Sequence, residues 1–185
     1  MKTYYLTLSP VFPSTHQRKG EETGFYKKLE RARDCSRCEL SGWAGDVKLT
    51  DYLKCTNPCF DGYLKLHTIR ANYEFWRKRF EKIAKGEACL SIRQWVGKPY
   101  GKGSTQREIV RLTREDGIGI QKLTFPFGTF NEAAIEDAEH IGVFSGIAQT
   151  LAANDGLSLS DWREWFKDYD LSQPMAIIHF TPFRY

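Results

Sequence analysis

The chain lacks any long apolar run: none of its 185 residues falls in a stretch approaching the roughly 20 consecutive apolar residues of a membrane-spanning helix. No internal repeat and no low-complexity tract is visible, which argues against solenoid and compositionally disordered classes. Histidine is scarce, with 4 residues that do not cluster in sequence, so no histidine-rich metal motif is present. The opening segment Met1 to Leu8 is too short and too polar for a signal peptide and is soon broken by Pro10 and Pro13. The expected location is therefore cytoplasmic, without a membrane, where stable disulfides are disfavoured.

What is present suits one soluble domain over residues 1–185. An apolar content of 41% in a chain this long is enough to bury a full core without staples. Aromatics reach 14%, enough to fill that core and leave some rings for base stacking. The net charge of +4 hides an asymmetry: residues 65–115 carry 13 Lys and Arg against 5 Asp and Glu, whereas residues 116–185 carry 4 against 10. A basic stretch interleaved with Trp76, Trp95 and Tyr100 is what a groove following a phosphate backbone requires. Solvated faces partly neutralised by the acidic C-terminal third are the plainer explanation.

The periodicities predict a mixed order of short strands and amphipathic helices, hence an α+β fold. Strands are expected over Tyr4 to Leu8, Ala88 to Trp95, Arg107 to Leu112 and Met175 to Phe180. Phe25, Leu29 and Ala32 recur at helical spacing, which predicts a helix from about Thr23 to Arg33. Asn72 can cap a second helix with Trp76, Phe80 and Ile83 as its stripe and Gly86 at its end. Glu132 to Ala153 is expected to be largely helical, and the capping-box spacing of Ser158 and Asp161 predicts a last helix from Leu159 through Phe166.

The segment Lys65-Leu66-His67-Thr68-Ile69-Arg70 carries most of the chemical information. In a strand Thr68 and Arg70 share one face while Lys65 and His67 share the other. Lys65 and Thr68 therefore meet only if the chain turns or bulges between them. A threonine hydroxyl needs a neighbouring base to become a nucleophile, and a lysine serves when burial lowers its pKa. Plainer roles exist for each: a snorkelling surface lysine, an ordinary strand threonine, and for Asp155-Gly156 a helix-ending turn.

The K-x-x-T-x-R pattern, the segment Leu151 to Ser160 with its Asp155 and the closing strand together resemble the ASCH family of PUA-like proteins. Phe12 to Gly20 and Gly97-Lys98-Pro99-Tyr100 look like a bacterial and phage subgroup of it. The resemblance implies a mixed β-barrel flanked by helices, and a cleft that handles RNA, single-stranded nucleic acid or a modified nucleoside. Some members remove the acetyl group of N4-acetylcytidine with a lysine, a threonine and a glutamate. Carried over, Lys65 takes the proton-acceptor role, Thr68 the nucleophile role and Asp155 the place of the glutamate, as the acid that protonates the leaving amine. Aspartate is one methylene shorter, and a misplacement of about 1 Å costs on the order of 100-fold in rate. Arg70 suits a carbonyl or phosphate, and His67, His16, Arg18, Lys19, Lys98 and Tyr100 complete the expected binding residues.

Two further features stand apart from that motif. Cys35-x-x-Cys38 and Cys55-x-x-x-Cys59 lie in an insertion at about residues 34–62, and two close thiolate pairs can hold a structural zinc. Reduced thiols or a redox pair are the alternatives there, while Cys89 is expected to be a core residue. The cleft itself calls for no cofactor. Three functions follow in order: a nucleic-acid or nucleoside binding module, an N4-acylcytidine amidohydrolase, and a regulatory domain whose basic helix over 72–85 contacts another protein.

Overall fold

The computed structural model describes residues 1–34, 63–97, 99, 101–137 and 141–185. Along the chain the order is β1 (Lys2–Leu8), α1 (Phe25–Asp34), β2 (His67–Ala71), α2 (Tyr73–Ala84), β3 (Ala88–Val96) and β4 (Thr105–Leu112). A 3₁₀ turn (Arg114–Asp116) leads to β5 (Gly119–Thr124), β6 (Glu132–Glu136) and β7 (Ile141–Ser145), followed by α3 (Ala148–Asn154), α4 (Leu159–Phe166) and β8 (Met175–His179). The class is α+β. The strands form a three-stranded sheet in the order β1-β3-β4 and a five-stranded sheet in the order β2-β8-β5-β6-β7. Among the described residues these ladders do not close into one barrel.

Side-chain alternation explains where each strand sits. Tyr4, Leu6 and Leu8 of β1 turn inward, and β1 pairs in parallel with β3, whose Leu90 and Ile92 are fully buried. β8 has all five residues buried because it lies between β2 and β5, which is the setting that a continuous Met175-Ala-Ile-Ile run suits. α2 packs Trp76, Phe80 and Ile83 into the core and is capped as expected: Asn72, at φ 61°, accepts from the Phe75 N–H. Ser158 likewise caps α4 by accepting from the Asp161 N–H at 3.1 Å, and α4 buries Trp162 and Phe166.

One expected element is replaced. Residues 132–153 hold the antiparallel pair β6 and β7 and then the short α3, rather than a long helix. The pattern in β6 has period two, with Ala133 and Ile135 buried between Glu132, Ala134 and Glu136. In β7 the ring of Phe144 occupies the space that a Cβ on Gly142 would need, at 2.5 Å. Helix propensity in the Glu-Ala-Ala-Ile-Glu stretch is overridden by this tertiary pairing. β5 is a further strand beyond those expected; two glycines at 117 and 119 disguise it, and Gly119 leaves room for the Arg184 guanidinium.

Candidate functional site

Lys65 sits just ahead of β2, in an isolated bridge with Asp155 at the end of α3. The chain turns directly after Asp155: Gly156 has φ +81°, and a Cβ there would lie 3.4 Å from the Lys65 Cβ. Such a conformation favours glycine and lets the two segments touch. Because Lys65 precedes the regular strand, its side chain reaches the same side as Thr68, which resolves the facing problem posed by the alternation.

Lys65, Thr68, Arg70 and Asp155 line one cleft of about 230 Å³. Lys65 is only 1% exposed, and its Nζ donates to Asp155 Oδ1 at 2.6 Å and to the Asp155 carbonyl at 2.7 Å. The ammonium also lies 3.8 Å from the Phe25 ring centroid. Burial lowers the Lys65 pKa from its ordinary value near 10.5 to about 8, against the opposing pull of Asp155. Burial likewise raises Asp155, opposed by Lys65. Thr68 is buried, and its hydroxyl makes no hydrogen bond among the described residues. Arg70 donates to the Thr7 carbonyl at 2.9 Å; burial lowers its pKa, although a guanidinium stays charged.

Aromatic side chains wall this polar floor. Phe25 from α1, Trp165 and Phe166 from α4, and Tyr169 beyond it line the cleft with Thr7, Ser9 and Leu157. Phe25 and Trp165 stand with ring centroids 5.7 Å apart. None of these wall residues was expected from sequence. Thr7 and Tyr169 lie 162 positions apart in the chain, and only tertiary packing brings them together.

The remaining expected residues lie elsewhere. His67 faces away from the cleft, bonded through Nε2 to the Tyr185 hydroxyl at 2.8 Å, and desolvation lowers its pKa well below the usual value, leaving the ring neutral. That hydroxyl also accepts from Asn154 Nδ2 at 3.0 Å, which ties β2 to the end of α3 behind Lys65 and Asp155. His16 is buried rather than exposed: its Nδ1 accepts from the Arg18 N–H and its Nε2 donates to the Asp161 carbonyl. Arg18 pairs with Asp161 and Glu21, while Lys19 is solvent-exposed. The residues Lys98, Tyr100, Cys35, Cys38, Cys55 and Cys59 lie outside the described residues, and with them the zinc proposal. Cys89 is a free, buried core thiol.

Against protein-family models, curated proteins and solved structures, the chain has no match. The geometry therefore carries the functional reading. The basic character of α2 is moderated on its own surface, because Arg77 pairs with Glu74 and Glu81 and Arg79 stacks on Phe75. Trp76 is buried in the core, not displayed for stacking. No helix among the described residues is long and apolar enough to cross a membrane.

Proposed function

We propose that this chain is an ASCH-type, PUA-like module whose cleft takes a modified pyrimidine nucleoside and hydrolyses the amide of an N4-acylated cytosine. One observation carries this reading: a buried lysine of lowered pKa, a threonine hydroxyl without a hydrogen bond among the described residues, an arginine and an aspartate line a single small cleft. An exposed RNA track is less well supported, since the cleft cations are recessed and the α2 cations are partly paired.

The residues divide the chemistry among them. Neutral Lys65 takes the proton of the Thr68 hydroxyl as its oxygen attacks the acyl carbonyl. The oxyanion that forms is stabilised by the Arg70 guanidinium. Asp155, bonded to Lys65 Nζ, orients the amine and stabilises the ammonium it becomes. This differs from the role expected of it, because its carboxylate oxygen is engaged by Lys65. The ammonium returns its proton to N4 as the C–N bond breaks, and cytidine leaves. Water then attacks the threonine ester, releasing the carboxylic acid and restoring the hydroxyl.

The test is to incubate the protein with N4-acetylcytidine and follow cytidine by chromatography beside Lys65→Ala. Release that disappears in the variant is expected. Undiminished release by Lys65→Ala would remove the lysine from the mechanism, and no release by the wild type would reduce the cleft to a binding site. Titration with RNA at increasing salt then separates the two uses, because phosphate contacts weaken steeply with salt.

A further inference from the structure

The Lys65–Asp155 pair is supported from outside the cleft by a polar cluster that the proposed reaction does not use. His67, His179, Gln121 and Asn154 are all buried. None of them lines the cleft. His67 and His179 are register partners on β2 and β8, with ring centroids 5.7 Å apart, and burial lowers the pKa of both well below the usual value. Enclosed polar groups are costly unless they are bonded, so the bonds that hold this cluster show what it is built to fix.

Tyr185 stands at its centre. Its hydroxyl accepts from Asn154 Nδ2 at 3.0 Å and meets His67 Nε2 at 2.8 Å. Asn154 immediately precedes Asp155, and His67 follows Lys65 by two residues. A single oxygen atom therefore spans the two segments that carry the ion pair. The main chain makes the same join through the Leu66 N–H, which donates to the Asn154 carbonyl at 2.8 Å. Tyr185 is itself held at both backbone groups: its N–H donates to Gln121 Oε1 at 3.0 Å, and its carbonyl accepts from Gln121 Nε2 at 3.2 Å. Its ring packs against Phe183 and His67, with centroids 5.0 and 5.6 Å away. Gln121 belongs to β5, which supplies no described residue to the cleft lining.

We infer that the Tyr185 hydroxyl is a positioning group: by holding Asn154 and His67 together it sets the register of Lys65 against Asp155. Its kinetic consequence rests on the hydrolase reading of the cleft. Removing the oxygen leaves Asn154 Nδ2 and His67 Nε2 buried without this partner, a cost relieved when water enters or the segments part. Either relaxes the 2.6 Å contact between Lys65 Nζ and Asp155 Oδ1 and hydrates the ammonium. The proton acceptor must be held against the Thr68 hydroxyl, so a small displacement reaches the rate.

Tyr185→Phe keeps the ring and deletes the oxygen. The charged groups that face the Lys65 amine are Asp155 at the end of α3, Arg70 on β2 and Lys28 on α1, and the substitution alters none of them. NMR of protein carrying isotope-labelled lysine, with Lys65→Met to assign the resonance, should show the wild-type amine titrating at about 8. In Tyr185→Phe the midpoint is expected to rise by at least about half a unit, because admitted water relieves the desolvation that depresses it. The kcat for N4-acetylcytidine is expected to fall about 10-fold or more with KM unchanged. Asn154→Leu deletes the same bond from its other end and should reproduce both changes, and the double variant should be no worse than either single one. Leu90→Ala, which loosens the core in the other sheet, should leave the midpoint where it is and so separates positioning from a general loss of stability. An unmoved or lowered midpoint in both Tyr185→Phe and Asn154→Leu, or additive losses in the double variant, would overturn the positioning role. A wild type that releases no cytidine would overturn the hydrolase reading alone, because the amine titration needs no substrate and still decides the role of Tyr185.

Discussion

Lys65 should impose a measurable pH dependence on both stability and turnover. Its pKa is about 8 in the folded chain against an ordinary 10.5, so the unfolded chain holds this proton over a range where the native chain has released it. Stability from this group is therefore fully present above the unfolded value and is lost as pH falls towards the folded one. Between pH 7 and pH 9 the linkage amounts to about 1 kcal/mol of added stability. The same shift makes the amine roughly 10% neutral at pH 7, on the order of 300-fold more than an unperturbed lysine. The assay is urea denaturation of wild type and Lys65→Met at pH 7, 8 and 9, comparing slopes so that other titrating groups such as Lys28 cancel. Tyr185, whose pKa is raised by burial, opposes the trend only once unfolded tyrosines begin to ionise near pH 10, outside this window. Turnover of N4-acetylcytidine should rise with pH and level off above about 8. Identical pH slopes in wild type and Lys65→Met, or a rate still climbing beyond pH 10, would refute the lowered pKa.

Other outcomes follow from particular contacts. Thr68→Ser should retain turnover and Thr68→Val should lose it with an unchanged melting temperature; full activity of the valine variant would exclude a threonine nucleophile. Gly156→Ala places a side chain on a φ of +81° and 3.4 Å from the Lys65 Cβ, and should cost about 1–2 kcal/mol by thermal unfolding while reducing turnover more than stability alone explains. Leu90→Ala empties a fully buried position in β3 and should cost about 3 kcal/mol, lowering the melting temperature by roughly 6–12 °C; a smaller loss would mean the core collapses around the gap. Native mass spectrometry should show one zinc, lost in Cys35→Ser and in Cys59→Ser, if the Cys35-x-x-Cys38 and Cys55-x-x-x-Cys59 pairs bind it; a metal-free wild type would dismiss that proposal.

The helices with distinct caps, α2 and α4, and the strands with clear periodicity, β1, β3 and β8, were legible because their local signals agree with their tertiary surroundings. The polar floor of the cleft was legible for a similar reason: Lys65, Thr68 and Arg70 are close in sequence, and Asp155-Gly156 announces a turn. The β6 and β7 hairpin was not, since Glu-Ala-Ala-Ile-Glu favours helix locally and only pairing decides otherwise. His16 looks like a loop residue among charged neighbours, yet its ring packs on Phe12 at 4.4 Å, a contact that no local pattern announces. The aromatic wall was hidden because Phe25, Trp165 and Tyr169 resemble ordinary core residues along their helices and loops.

The bridge between Lys65 and Asp155 joins positions separated by 90 residues. Lys65 and Asp155, the base and orienting group of the proposed mechanism, belong to opposite halves of the chain, and the aromatic wall draws on both. On the proposed mechanism, neither half of the chain alone holds the working set. Activity in this protein would report completion of the fold itself, so refolding followed by turnover should lag behind refolding followed by secondary structure.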